Sequence, residues 1–306
     1  MHILSRHIRT RLRNILLAAA ALAAFDAGCP VRAESFELIV VKNAELKPYQ
    51  EVLRGIRDSC DCEVREFKLQ EDEGVEKILK RSPDAVLAIG TSAFKKVREI
   101  KNLPVIYTMA MPSETLSLPR TNISGVSMDS DPVESIAAMR EVFPRAKRIG
   151  VLYDPRYTAA FVAEAAKAAA SAGVELVLKQ AQDPRDIPHR VDELRNKIDV
   201  FWMLPDPTVT KTAMVDYLLQ FSFQYNVPIF SFADKYVEMG AVAALVVDPY
   251  TLGVQAGEIV NTLSAGHRDA IRVYARAPRL IINTKVTSKM GLKISDEILK
   301  RADKIE

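Results

Sequence analysis

Short apolar runs alternate with amphipathic stretches along almost the whole chain. The apolar runs have the length of strands, and the stretches between them carry apolar residues at helical spacing. This alternation predicts parallel β-sheets with helices on both faces, because a parallel strand needs a crossover to reach its neighbour. The predicted strands are 36–41, 63–69, 85–89, 105–109, 123–128, 148–153, 174–179, 200–204, 228–232 and 241–247. The predicted helices lie near 47–59, 72–81, 92–101, 132–142, 158–171, 186–196, 211–225 and 251–264.

The strand pattern repeats within the chain. The pair of strands that begins at Glu37 and the pair that begins at Arg148 both start their second strand 26 residues later. Each copy then contains an apolar strand led by an aspartate, Asp84 or Asp199, and later a strand led by Asn-x-Pro. Two similar α/β lobes in series are therefore predicted. Ligands of open α/β sheets bind beyond the carboxyl ends of the strands, so we expect a site in a cleft between the lobes.

Residues 1–33 have the features of a secretory signal. An Arg-rich start precedes an apolar run over 15–25, which is too short to span a bilayer, and small residues flank a cleavage site before Glu34. An alternative is a lipoprotein acylated at Cys29, although Asp26 stands where that motif favours an aliphatic residue. Both interpretations predict export, and the first predicts a periplasmic protein.

Composition narrows the function further. Without residues 1–33 the chain has 37 basic and 38 acidic residues, so its charge favours neither nucleic acid nor a membrane surface. Cys60 and Cys62 are spaced for a tight disulfide in an oxidising compartment. His189 and His267 lie near no second cluster of metal ligands, and the sequence contains no P-loop, Gly-x-Ser-x-Gly or His-Glu-x-x-His motif. We expect no metal, no cofactor and no catalysis.

Candidate ligand contacts of the first unit follow its strands. Asn43 comes shortly after the first strand, and Met111 follows the Pro-led strand. Gly90, Thr91 and Ser92 follow a buried strand and open a helix, where hydroxyl and backbone N–H groups suit a carboxylate or phosphate. An ordinary helix cap is the alternative interpretation of the Gly90–Ser92 segment.

The second unit offers carboxylates and aromatic side chains at the same predicted edge. Asp206 follows the strand that holds the only tryptophan, and a carboxylate there would pair with a ligand's ammonium group. A turn aspartate flanked by prolines is the alternative, and Asp154-Pro and Asp248-Pro share this ambiguity. Trp202 lies in mid-strand and is expected in the core. The further candidates in this unit, which would add polar groups or an apolar pocket wall, are Tyr157, Thr158, Phe232 and Asp234.

Several stretches resemble the periplasmic substrate-binding component of ABC transporters, in the group that includes aromatic amino-acid-binding members. They are Ala88–Ala93, Leu103–Thr108, Asn122–Ser127, Phe143–Pro155, Gly240–Ala243 and Gly291–Asp303. The resemblance implies the type I periplasmic-binding-protein fold: two Rossmann-like, doubly wound parallel-sheet lobes joined by a three-crossover hinge. It places lobe 1 at 36–129 and 250–280, and lobe 2 at 130–249 and 281–306.

The same resemblance implies a monomeric receptor that captures a small molecule and delivers it to an ABC permease. It assigns the ligand carboxylate to Thr91 and Ser92 and the ligand ammonium group to Asp206. This chain has Ala-Met-Pro at 110–112 where relatives often have Thr-Asp-Pro, which makes the expected pocket more apolar. A ligand-sensing module for a membrane receptor kinase is the alternative hypothesis, and an enzyme is the third.

Overall fold

The structure is a computed structural model that describes residues 35–68, 75–110 and 121–305. The chain divides into two compact units after Ser35, and the second unit, Phe36–Glu306, contains all the strands and helices of the described ranges. The predicted signal segment, its cleavage site and Cys29 lie outside the described residues.

Within those ranges the strands form two separate sheets of six and seven strands. In chain order they are β1 (Glu37–Lys42), β2 (Glu63–Lys68), β3 (Ala85–Ile89), β4 (Val105–Thr108), β5 (Ile123–Ser130), β6 (Arg148–Tyr153), β7 (Glu175–Gln180), β8 (Val200–Trp202), β9 (Ile229–Ser231), β10 (Ala243–Val246), β11 (Arg272–Ala275), β12 (Arg279–Asn283) and β13 (Asp303–Ile305).

Helices connect the strands. They are α1 (Lys47–Ser59), α2 (Glu76–Leu79), α3 (Thr91–Val97), α4 (Pro132–Val142), α5 (Pro155–Ser171), α6 (Ile187–Asp192), α7 (Thr212–Tyr225), α8 (Asp234–Met239), α9 (Pro249–Ser264), α10 (Thr284–Lys289) and α11 (Asp296–Arg301), with a 3₁₀ turn at Pro184–Asp186 before α6.

The two sheets repeat one topology. The first has the order β2-β1-β3-β4-β5-β11 and the second β7-β6-β8-β9-β10-β12-β13, so both halves share a 2-1-3-4-5 core. The core strands pair in parallel, while β12 runs antiparallel to β10. The predicted fold class, two doubly wound α/β sheets, is confirmed.

The aspartates just before β3 and β8, Asp84 and Asp199, make equivalent hydrogen bonds in the two halves. The Asp84 carboxylate accepts a hydrogen bond from the backbone N–H of Glu37, at 2.8 Å. The Asp199 carboxylate accepts from the backbone N–H groups of Lys147 and Arg148, both at 2.9 Å. Each aspartate therefore accepts hydrogen bonds from backbone N–H groups at the start of the neighbouring strand. Without the aspartate, these N–H groups would be left to solvent.

Both faces of each sheet are covered, as parallel strands require. In β1 the alternate residues Leu38 and Val40 pack towards α1 and α9, whereas Ile39 and Val41 pack in the cluster that contains Phe94 of α3. All four β1 side chains are 0–1% exposed. The second sheet likewise has an apolar cluster on each face. Alternation along the strands thus decides which helix layer each side chain meets.

The chain passes between the sheets three times. It leaves the first sheet after β5 and enters α4, whose buried residues pack in the core of the second sheet. It returns after β10 into α9, which packs on α1. It crosses again in the short segment between β11, paired with β5, and β12, paired with β10. These three segments are the mechanical link between the halves.

Glycines allow α1 and α9 to pack at backbone contact. A Cβ atom on Gly253 would lie 2.1 Å from the carbonyl oxygen of Val52, and one on Gly55 would lie 2.2 Å from the carbonyl oxygen of Tyr250. Both distances are far below van der Waals contact. The contact holds the start of α9, which comes directly after the second crossing, firmly against the first half.

Several element limits differ from the predictions. Helices α5 and α9 begin at Pro155 and Pro249, earlier than expected, because an aspartate before each proline caps the helix. Strands β11 to β13 and helices α8, α10 and α11 were not predicted. The predicted helix over 72–81 is shortened to Glu76–Leu79, and residues 69–74 lie outside the described ranges.

Cys60 and Cys62 form a disulfide just after α1, with Cα atoms 5.3 Å apart. Among the helices of the described ranges, none is long and apolar enough to cross a bilayer.

Candidate functional site

The carboxyl ends of β6 and β8 bring Asp154 and Asp206 into one buried network. The Asp206 Oδ2 atom accepts hydrogen bonds from the backbone N–H of Asp154 and the hydroxyl of Thr158, both at 2.8 Å. Its Oδ1 atom accepts from the backbone N–H groups of Thr208, at 2.9 Å, and Val209, at 3.2 Å. The Thr208 hydroxyl in turn donates to Asp154 Oδ2 at 2.7 Å. Both carboxylates are 0% exposed.

The environment moves the pKa values of the two aspartates in opposite directions. Burial raises the pKa of Asp206 above its ordinary value, against the effect of its hydrogen bonds from Asp154, Thr158 and Thr208. Burial also acts to raise the pKa of Asp154, but hydrogen bonds from Arg156 and Thr208 outweigh it and the pKa is lowered. The Arg156 guanidinium pairs directly with the Asp154 carboxylate.

The three Asp-Pro aspartates all serve the backbone. Asp154 caps α5 through the N–H of Arg156, at 3.0 Å, and Asp248 caps α9 through the N–H of Thr251, at 2.9 Å. Asp206 holds the turn that follows β8. In this conformation Asp206 has both oxygens occupied and no exposed surface, so it offers no oxygen to a ligand's ammonium group. Asp206 and Asp154 thus position the backbone in this conformation, and the ligand contacts expected of them stay predictions.

At the edge of the first sheet, Gly90 ends β3 with φ 93°. A Cβ atom there would lie 2.1 Å from the Tyr49 hydroxyl, so the close approach and the backbone angle both require glycine. Thr91 is half-buried and Ser92 is exposed in the first turn of α3. Asn43 is exposed just beyond the end of β1. These four candidates stand at the carboxyl edge, as expected of their place in the sequence.

Two further groups at this edge were not predicted. Lys42 is 4% exposed and pairs with Glu66 at 2.7 Å and Glu45 at 3.0 Å. Burial lowers the pKa of Lys42, but the two glutamates outweigh it and the pKa is raised. Thr108 ends β4 fully buried, and its hydroxyl has no hydrogen-bond partner in the part of the chain that the structure describes.

The remaining candidates are spread around the second sheet. Thr158 is buried in the aspartate network, and Tyr157 is half-buried with the Arg156 guanidinium 5.5 Å from its ring centroid. Phe232 follows β9 and packs on Tyr236 with ring centroids 5.2 Å apart. Asp234 is the exposed first residue of α8 and accepts a hydrogen bond from the backbone N–H of Lys235. Met111 lies outside the described residues.

A small cavity of about 20 Å³ lies where the end of β5 meets the carboxyl ends of β8 and β9. Its wall includes Met128, Asp129 and Ser130 from the first sheet and four aromatic side chains from the second half. The aromatic residues are Phe161, Trp202, Phe230 and Phe232. The cavity is therefore built by both halves, beside the first crossing segment.

Asp129 is the charged group of this cavity. It is 5% exposed, and its Oδ2 atom accepts a hydrogen bond from the Ser127 hydroxyl at 3.2 Å. Burial raises the pKa of Asp129 to about 7, against the smaller effect of Ser127. Sequence reasoning placed residue 129 at the boundary of lobe 1 and missed Asp129 as a site residue. Its only local signal is the polar run after a buried strand; the aromatic wall comes from residues far along the chain.

Trp202 is 4% exposed and packs edge-on against Phe161 at 5.7 Å, which confirms its predicted place in the core. Its contact with the cavity was not expected. Across the ranges 35–68, 75–110 and 121–305, no group of three or more His, Cys, Asp or Glu side chains is arranged to hold a metal ion.

Comparison with known proteins agrees with this architecture. The chain is 25% identical over 199 residues to a tyrosine-binding protein of Clostridioides difficile, a match that covers 62% of this chain and spans only 57% of that protein's length. The fold is similar to that of an ABC domain in complex with L-Trp from Streptococcus pneumonia, with a TM-score of 0.62, 21% identity, and coverage of 89% of this chain and 100% of that one.

The fold is also similar to that of a ligand-free, open substrate-binding protein with adhesive properties from Clostridium difficile. The TM-score is 0.67 and the identity 18%, and the match covers 88% of this chain and 99% of that one. Residues 72–306 match the family described as ABC transporter substrate binding protein. This range is most of the chain and includes the whole second sheet and strands β3, β4, β5 and β11 of the first. The chain therefore belongs to the ABC transporter substrate binding protein family.

Proposed function

We propose that this chain is an extracytoplasmic solute-binding protein that captures a small molecule between its two halves and delivers it to an ABC permease. The observation that carries the proposal is the pair of like sheets, linked by three crossings, with a cavity walled from both sides. Open α/β sheets bind ligands at their carboxyl edges, and here two such edges belong to one chain.

Capture works by closure of the two halves. The lobes are those expected from the sequence, 36–129 with 250–280 and 130–249 with 281–306, except that Arg279 and Leu280 pair in the second sheet and belong to lobe 2. Rotation about the three crossing segments brings the lobes together, because a few residues in such links absorb the change in backbone angles. A ligand that touches both lobes favours the closed form, since its contacts with the second lobe exist only there. The closed form is the one that docks on the permease.

The ligand is an amino acid, with an aromatic side chain as the first choice. The names of the tyrosine-binding relative and of the L-Trp complex support this class. The four aromatic residues around the cavity supply an apolar wall for such a ligand. The protein is monomeric, periplasmic and non-catalytic, and the near-zero net charge of 34–306 supports the absence of a nucleic-acid partner.

A thermal-shift screen of the twenty amino acids tests this function. A ligand that binds only the folded state, at a hundredfold excess over its Kd, adds about 2.7 kcal/mol to the free energy of unfolding. For a chain of this size that raises Tm by about 5 °C or more. Native mass spectrometry of protein purified from the periplasm identifies any solute that it retains. No shift with any amino acid, together with no retained solute, would overturn the proposal.

A further inference from the structure

The Asp129 carboxylate is a buried charge with too few partners. At 5% exposure it is cut off from bulk water, and in the described part of the chain its hydrogen-bond donor is one neutral hydroxyl, that of Ser127. An ionised carboxylate has room for about four donors. A buried carboxylate without a counter-charge is costly, and structures normally pair it. Asp129 is thus prepared for a positive group that the described residues do not supply.

The rest of the cavity wall suits a cation. The aromatic rings of Phe161, Trp202, Phe230 and Phe232 line it, and aromatic faces attract cations through their quadrupole. The other polar lining residues include the neutral side chains of Ser130 and Ser231. One carboxylate among aromatic rings and hydroxyls gives the cavity a negative electrostatic potential. Among the described residues, its lining contains no Lys or Arg that would pair with this carboxylate in place of a ligand.

The size of the cavity restricts the cation. A volume of about 20 Å³ is enough for one water-sized group, because a cavity needs roughly 10–15 Å³ to hold a water molecule. A primary ammonium group has that size, whereas a guanidinium or a trimethylated amine is larger. The rest of such a ligand would extend from the cavity along the carboxyl edges of the strands.

We propose that Asp129 binds the primary ammonium group of the ligand in this cavity, and that the ligand is therefore an α-amino acid or a related primary amine. This inference rests on the proposed function and names the group that decides its specificity. It replaces Asp206, whose four donors already occupy its oxygens. Asp206 positions the turn after β8, which contributes Leu204 and Pro205 to the same wall.

Matched ligand pairs test the proposal by isothermal titration calorimetry at pH 8, where Asp129 is ionised. L-Tryptophan is compared with 3-(indol-3-yl)propionate, and L-tyrosine with 3-(4-hydroxyphenyl)propionate, so that each pair differs only by the ammonium group. We expect the full-length protein to bind at least one amino acid at least roughly 30-fold more tightly than its partner acid, because a buried ion pair loses most when one charge is removed.

The variant Asp129→Asn keeps the shape and removes the charge. It should lose roughly the same factor for the amino acid and change the affinity for the partner acid by less than about threefold. Asp131→Asn is the control: Asp131 caps α4 through the N–H of Val133, outside the cavity, and asparagine caps equally well. Circular dichroism melting of each variant shows that it is folded.

Three results would overturn the inference, and they can be told apart. Unchanged amino-acid affinity in Asp129→Asn refutes the part given to Asp129 and leaves the solute-binding function intact. Equal binding of the amino acids and their partner acids by the wild-type protein refutes ammonium recognition altogether. A wild-type protein that binds neither member of either pair, and none of the other amino acids, refutes the amino-acid function and this inference with it.

Discussion

Replacing Asp206 should cost far more folding free energy than its position in a loop suggests. In Asp206→Ala the backbone N–H groups of Asp154, Thr208 and Val209 lose their acceptor in a site without solvent exposure. The Thr158 hydroxyl keeps an alternative acceptor, the carbonyl oxygen of Asp154 at 3.3 Å. Three unsatisfied buried donors at about 1–3 kcal/mol each set the scale.

Water entering the vacated space offsets part of this cost, so the expected loss in the free energy of unfolding is about 3–5 kcal/mol. Asp206→Asn should lose less, about 2–3 kcal/mol. It keeps one oxygen for two of the backbone donors but turns an N–H₂ group towards the N–H of Asp154. The matched control is Asp183→Asn, because Asp183, like Asp206, accepts the backbone N–H two residues later, but at the surface. The control should change stability by less than about 1 kcal/mol.

Urea unfolding followed by tryptophan fluorescence measures these differences. Trp202 is the only tryptophan of the chain, it is buried, and it ends the strand that leads to Asp206. Far-UV circular dichroism gives a second probe, and coincident transitions justify a single free energy. An Asp206→Ala variant within about 1 kcal/mol of the wild type would refute the positioning part of Asp206. So would an Asp206→Asn variant no less stable than the control.

Two further predictions concern the packing of the first half and the charge of the cavity. Gly253→Ala should lower the free energy of unfolding by about 1–3 kcal/mol in the same assay, because its methyl group would meet the Val52 carbonyl oxygen; a loss below about 0.5 kcal/mol would contradict the contact. Because burial raises the pKa of Asp129 from 3.8 to about 7, stability should fall between pH 4 and 7, by at most about 1.4 kcal/mol per pH unit, and level off above pH 7. Asp131 and Tyr274 lie close enough to act electrostatically in this region, so Asp129→Asn, which leaves both in place, should remove this part of the slope; an unchanged pH profile would show that Asp129 does not titrate there.

The core of the fold was predictable because the same local sequence pattern occurs in both halves. The buried runs of β1, β3, β6 and β8 are apolar enough to be recognised alone, and their order repeats. The leading aspartates Asp84 and Asp199 were part of that pattern, and both turn out to satisfy the entry of the adjacent strand. A pattern that recurs at equal spacing with equal chemistry excludes most alternatives, which is why the fold class was confirmed.

The carboxyl-terminal strands were missed for the opposite reason. Strand β11 has exposed or half-buried residues at three of its four positions, and β13 is three residues long with none buried. Neither forms an apolar run, and their pairing depends on the strands of the finished sheets beside them. Short edge strands obtain their conformation from tertiary contacts, so propensity and periodicity carry little information about them.

The candidate site was predictable in place but not in detail. Thr91, Asp154 and Phe232 do follow strands at the carboxyl edges, as the topology rule requires. Whether a carboxylate there faces a ligand or a backbone N–H depends on a few local angles that composition does not reveal. Backbone N–H groups bind both oxygens of Asp206, whereas those of Asp154 bind the backbone and side chain of Arg156 and the Thr208 hydroxyl. At Asp129 the local chain left the carboxylate with one hydroxyl, and the second half of the protein buried it.

The repeat itself argues that recognition lies where the two halves differ. The shared parts, the 2-1-3-4-5 order and the leading aspartates, are scaffold. At equivalent strand ends the first half has glycine and hydroxyl groups, in Gly90–Ser92, whereas the second has a rigid Pro-Asp-Pro turn whose carboxylate is internally satisfied. In the proposed complex, a ligand held between them meets hydroxyl and N–H donors and the buried Asp129 carboxylate from the first half, and an aromatic wall from the second. Such a surface pair favours a molecule that carries a carboxylate, a ring and a primary amine in fixed relation, and disfavours one that lacks any of the three.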